Sequence, residues 1–264
     1  MLEYRTTSVY DAVLPLGGGC PISFQLAHRG KRLFATPLDW TLIPDRRGID
    51  YLPTGIRTDF KDLLRRENLI VCAKQRVEKG RLTWSYEDTL SGFQFVHHFH
   101  GDIADSCVYD HVWEVHTRRL RRMLDFIESN KRILFVLNTK FEFDTEAAVR
   151  IYDALEHRFA RTQVQLLVMQ FNANHPGREE VRPGLVVERF ARPINDVYDM
   201  TMTTAEWEFL DWIELPGRDS PNRLRKRSFR IRVAYKIWKT LGKWLAHRNA
   251  GCLGIGFRTL GEKT

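Results

Sequence analysis

Nowhere in this chain do apolar residues run for the roughly 18 positions a membrane-spanning helix needs, so no spanning helix is expected. Cysteine is scarce. Cys20, Cys72, Cys107 and Cys252 lie far apart and no CxxC pair occurs. The opening residues, Met1 to Arg5, lack a charged stretch followed by an apolar one, so no secretory signal is expected. Scattered thiols without an export signal fit free cysteines in a cytoplasmic protein better than a disulfide framework. There is no internal repeat and no low-complexity segment. The body of the chain also lacks net positive charge. Of 41 Lys and Arg residues, eleven fall between Arg218 and Arg248 beside one acid, Asp219, which leaves 30 bases against 32 acids elsewhere. The formal charge of +8 therefore belongs to the tail.

What is present is enough for a sizeable core: 264 residues, 43 % of them hydrophobic. The division expected is an α/β domain over residues 1–215, a mixed sheet flanked by helices, followed by a basic amphipathic extension over 216–264. Val9 to Leu16 reads as a first strand, Gly17 to Gly19 as its turn, and Cys20 to Arg29 as a helix opened by Pro21. Leu33 to Ala35 reads as a short strand and Ile56 to Arg66 as an amphipathic helix. Leu69 to Cys72 and Leu82 to Tyr86 read as strands, and so does Phe93 to Phe99. The last has Phe93, Phe95, His97 and Phe99 on one face by period two. Val108 to Asn130 has the pattern of a long helix, its apolar stripe including Val112, His116, Met123 and Ile127. Arg132 to Asn138, Thr145 to Phe159 and Val164 to Met169 then read as a strand–helix–strand crossover with buried parallel strands. Leu185 to Phe190 is another strand, and Trp207 to Leu215 a short helix.

Chemistry concentrates in two places. Cys20 follows three glycines and opens a helix, where unpaired N–H groups and the helix dipole favour a thiolate and could hold an oxyanion. Five of the nine histidines lie between His97 and His116. His98-Phe99-His100-Gly101-Asp102 matches part of the HxHxDH ligand pattern of metallo-β-lactamase-like hydrolases, but Ile103 stands where the next histidine belongs. No metal and no cofactor is assigned. Beside Cys20, His97 would complete the thiol–imidazole pair of cysteine hydrolases and acyltransferases. Asp39 and Asn138 are both open as the group that orients its ring.

Four segments in chain order carry a resemblance: Gly17-Gly18-Gly19-Cys20, Pro37-Leu38-Asp39-Trp40, Phe95-Val96-His97-His98-Phe99, and Arg118-Arg119-Leu120-Arg121-Arg122 ahead of Ile133-Leu134-Phe135-Val136. Together they resemble a bacterial family of papain-like cysteine peptidases often found near surface-polysaccharide genes. That family has Leu-Gly-x-x-Cys, Pro-Phe-Asp-Trp and Phe-x-His-Asp-Phe, so this chain departs at Leu38 and His98. The resemblance spans about residues 13 to 175. It implies a papain-like fold, a Cys20 nucleophile and a His97 base acting in envelope or capsule polysaccharide biosynthesis. Gly18, Gly19, Trp40 and His98 would line the substrate site, the substrate being an unidentified peptide, acyl or glycan-linked carbonyl compound. A non-catalytic scaffold of envelope glycan assembly is the alternative, with a transferase acting on sugar or lipid intermediates as a third reading.

In the tail, Phe229, Val233, Ile237, Leu241 and Trp244 recur at helical spacing among basic residues. An anionic membrane surface at the inner face of the envelope would suit such a helix. So would simple docking on the body, and nucleic acid is the disfavoured partner.

Overall fold

The computed structural model describes residues 8–76, 82–192 and 205–215. The tail helix expected over Ser228 to His247 lies outside the described residues. Strand β1 (Ser8–Val9) is separated from β2 (Ala12–Pro15) by Tyr10 and Asp11, so the single first strand expected is in fact two. Helix α1 (Cys20–His28) follows, then β3 (Thr41–Leu42), α2 (Arg46–Arg57), β4 (Leu69–Arg76), β5 (Leu82–Asp88) and β6 (Phe93–Phe99). The second half holds α3 (Ser106–Glu128), β7 (Arg132–Thr139), α4 (Thr145–Arg158), β8 (Gln163–Gln170), β9 (Gly177–Arg182) and β10 (Leu185–Arg189). A 3-10 helix, Ala205–Trp212, leads to β11 (Ile213–Glu214).

The five-stranded sheet has the order β2-β7-β8-β10-β9, parallel except for β9. The crossover β7–α4–β8 is present as expected, and both faces of those strands are covered. In β7, Ile133, Phe135 and Leu137 point into one apolar cluster, shared with α2, α3 and α4. Leu134 and Val136 point into the other, shared with Ile22 and Leu26 of α1 and with Trp207 and Leu210. Two-sided burial is why these strands read as unbroken apolar runs rather than alternating ones. A separate antiparallel sheet, β3-β6-β5-β4, carries the histidine strand, and β1 pairs in parallel with β11. The architecture is mixed α/β as expected: among the described residues a mixed five-stranded sheet flanked by helices is accompanied by a four-stranded antiparallel sheet and a two-stranded ribbon.

Three local expectations fail for identifiable reasons. Leu33 to Ala35 is loop: the chain turns out of α1 through Gly30, and the segment pairs with no strand among the described residues. The helix expected at Ile56 to Arg66 lies earlier, as α2. Asp45 caps it by accepting from the Arg47 N–H, and Ile49, Leu52 and Ile56 form its buried face. Beyond Thr58 the apolar spacing continues through Phe60 and Leu64. There, however, the backbone takes positive φ at Asp59, Phe60 and Leu64, so the periodicity outlives the helix. Trp207 to Leu215 is 3-10 helix and strand, because Ile213 and Glu214 find the edge of β1.

Candidate active site

Cys20 is the first residue of α1 and lies just past the carboxyl end of β2, where open α/β sheets gather their ligands. Three consecutive glycines reach it, with φ of 102°, 97° and 105° at Gly17, Gly18 and Gly19. At Gly18 a Cβ would stand 1.9 Å from the Asn138 carbonyl oxygen, so only glycine fits. The Asn138 Nδ2 donates to the Gly18 carbonyl at 2.7 Å, tying the loop to the carboxyl end of β7. The N–H groups of Gly18 and Gly19 both donate to the Thr41 carbonyl, at 3.1 and 2.9 Å. Gly18→Ala should therefore shift the loop and lower stability by at least about 2 kcal/mol, through strain plus overlap. A urea midpoint matching the wild type would contradict this.

A Cys20 nucleophile is expected to hold its oxyanion on the N–H groups around Gly19, Cys20 and the helix start, and these bonds take Gly19 out of that set. Gly18 and Gly19 cannot offer their N–H groups to an oxyanion while Thr41 holds them. The Cys20 N–H and the first turn of α1, which has no side-chain cap, remain for that role. Cys20 itself is half-buried, and burial pushes its thiol above the ordinary value.

The Thr41 that holds the glycine loop also pairs with Phe95 of β6, two residues before His97. The thiol-bearing helix and the histidine strand are thus joined through two short bonds and one strand pairing. His97 is not on the apolar face, as strand alternation predicts. Trp84 of β5 pairs with Phe99 and Tyr86 with Phe95, so two steps along β5 span four along β6. The irregularity turns His97 outward and His98 inward. Phe93, Phe95 and Phe99 stay buried while His97 is exposed.

His97 meets Trp40 edge to face, ring centroids 6.2 Å apart. Partial desolvation and, less, His100 hold its pKa below the ordinary imidazole value. Among the described residues no hydrogen bond joins Cys20 to His97. Neither proposed orienting group is bonded to His97. Asp39 is fully buried and spoken for: Arg32 donates to it, Thr36 Oγ1 donates at 2.7 Å, and Ser23 of α1 donates to its carbonyl at 2.9 Å. Asn138 serves the glycine loop, and its Oδ1 is buried with no partner. Both residues shape the ground under the site. They were legible as polar residues at loop and strand ends, but their partners come from elsewhere in the fold.

A cavity of about 670 Å³ opens beside His97, walled by Trp40 and Pro37 on one side and by α3 on the other. His98 and His116 face into it, with Arg118 and Arg119. Cys20 is not among its lining residues. Histidine 116, read from sequence as part of the α3 stripe, was the visible signal for this cavity. Arg119, one turn on, entered as part of the resemblance segment Arg118 to Arg122. For the metal pattern, Asp102 instead accepts from the Tyr86 hydroxyl and the Ala104 N–H. Among the described residues no three His, Cys, Asp or Glu side chains are grouped to hold a metal ion.

Residues 11–172 match the profile of a family described as "Putative papain-like cysteine peptidase (DUF1796)". The chain belongs to that family. Its glycine loop, Cys20, Asp39, Trp40, His97 and Asn138 all fall inside the matched span. No curated protein and no solved structure matches the chain. The family description is that of a cysteine hydrolase. Among the described residues no helix is long and apolar enough to cross a membrane.

Proposed function

We propose that this family member uses Cys20 as the nucleophile and His97 as the base in attacking a peptide, ester or acyl carbonyl. What supports the reading is the single connection just described: Thr41 binds the loop that presents Cys20 and pairs with the strand that presents His97. The reaction requires the Cys20 sulfur and the His97 imidazole to meet when substrate binds. The imidazole takes the thiol proton as the Sγ–carbon bond forms. The oxyanion lies against the Cys20 N–H and the open first turn of α1. Collapse expels the amine or alcohol, which carries the proton away from His97, and leaves a thioester. Water or an acceptor hydroxyl then attacks, gives its proton to His97, and the Sγ–carbon bond breaks to restore the thiol.

Transfer to an acceptor, in envelope or capsule polysaccharide biosynthesis, is the finer form of this proposal. It rests on the resemblance and on the basic segment Arg218 to Arg248 as an anchor to anionic membrane at the inner face. Treating the full-length protein with p-nitrophenyl acetate and mapping the acetylated peptide tests the chemistry. An acetyl group on Cys20 that turns over is expected. Acetylation confined to Cys72, Cys107 or lysines would overturn the nucleophile.

A further inference from the structure

The cavity next to His97 contains more positive charge and more unpaired donors than the reaction above uses. His116 has 4 % of its surface exposed and neither ring nitrogen has a partner. The buried Nδ1 of His98, arriving from β6, is also unpartnered. A neutral imidazole carries one N–H and one acceptor nitrogen, and leaving either buried and unpaired costs roughly 1–3 kcal/mol. One turn along α3, the half-buried Arg119 has no hydrogen bond and no ion pair among the described residues. Desolvation, Arg32, Arg122 and Arg118 all press against its charge, and Asp39 eases it. That carboxylate is already occupied by Arg32. Arg118, the preceding residue of α3, also lines the cavity and is held only loosely to Glu114 at 3.7 Å.

We propose that this cavity is a phosphate subsite, in which Arg119 and Arg118 receive the charge of a phosphate ester and His98 and His116 complete its hydrogen bonds. Donors converge from two elements, β6 and α3, which suits a tetrahedral group with several acceptor oxygens. A carboxylate has two acceptor oxygens in one plane and would leave more of these donors unpaired than a phosphate ester. Arginine is the side chain best matched to phosphate geometry. The apolar wall of Trp40, Pro37, Val112 and Val115 would take the organic part of the ester. As a statement about the substrate, this rests on the thiol-site reading, since it places the phosphate beside His97. As a binding site, it stands without turnover.

The test is titration of the full chain with phenyl phosphate, followed by tryptophan fluorescence and calorimetry. Because the basic tail also attracts anions, two variants locate the site: Arg119→Met keeps the side-chain stem without the charge, and Val115→Trp fills the cavity with the charges intact. One-to-one saturation in the wild type, weakened at least tenfold in both variants, is the expected result. Equal binding by all three proteins places the anion elsewhere and overturns the subsite. Benzoate binding as tightly as phenyl phosphate overturns the phosphate assignment. Vesicles containing phosphatidic acid, competing in an Arg119-dependent way, would identify a lipid head group as the source; competition by soluble esters alone identifies a small phosphorylated molecule. Cys20→Ala is expected to bind phenyl phosphate like the wild type, so loss of acetylation and loss of phosphate binding are separate outcomes.

Discussion

Cys20→Ala is expected to lower the rate of catalysed acyl transfer from p-nitrophenyl acetate by at least about a thousandfold, because the thioester of this site forms on its sulfur. The fold should survive. Cys20 is half-buried at the start of α1 and ties no loop, so its urea midpoint should correspond to a loss within about 1 kcal/mol. His97→Ala should cost about a hundredfold or more, the range for removing a general base. The two losses should not multiply, since both residues act on one proton transfer. The resting protein gives a second readout. Burial raises the Cys20 pKa and, among the described residues, no imidazole is bonded to the sulfur, so its thiolate fraction is small at neutral pH. Alkylation by iodoacetamide, mapped by peptide mass spectrometry, should therefore keep accelerating beyond the unperturbed thiol value near 8.5. A plateau below pH 7 would mean that the thiolate–imidazolium pair already exists before substrate binds. Full acyl transfer by Cys20→Ala would remove the nucleophile.

Acid should destabilise the protein strongly, and two histidines should carry much of the effect. His116 and His98 are forced neutral by burial, and their neighbours add positive charge: Arg119 for His116, and His116 with Arg119 for His98. Their pKa values fall to about 4 and about 3, from 6.5. Above pH 7 both rings are neutral in the folded and unfolded chains, and stability is at its full value. As the pH falls below 6.5 the unfolded chain takes up protons at both rings, while the folded chain takes up neither until far lower. The unfolded state therefore binds more protons, and stability falls with pH through this window. For His116 alone the loss is about 3 kcal/mol by pH 4, a large part of the 5–15 kcal/mol of a typical domain. Urea midpoints at pH 7.5 and 4.5 measure it. His116→Phe, which keeps an aromatic ring against Trp113 and Phe95, should flatten the dependence by about 2 kcal/mol over that range. Identical pH profiles in both proteins would rule out His116 as the cause.

Local order in the sequence was sufficient wherever burial is uniform. β7, α4 and β8 were legible because parallel strands covered on both faces become continuous apolar runs, and an amphipathic helix between them shows period 3.6. α1 was legible too, because Pro21 and Gly30 mark its ends and the three glycines mark the turn that presents Cys20. The four segments that carry the family resemblance fall in the same stretch, residues 11–172, as the profile match.

Which way His97 points was not in the sequence. Alternation counts residues along one strand, and the extra residues in β6 exist only relative to its partner β5. The partners of Asp39 and Asn138 were beyond it for a similar reason. Arg32 is near Asp39 in the chain, but the Gly18 that Asn138 holds is 120 residues away, and the N–H groups of Gly18 and Gly19 go to Thr41. The sequence by itself determined that a thiol opens a helix after a glycine turn and that histidines and arginines cluster downstream. Only tertiary packing decided that His98 and His116, with Arg119, share one cavity. Hydrogen bonds and desolvation depend on distance in space, and one strand register with one helix face sets those distances here.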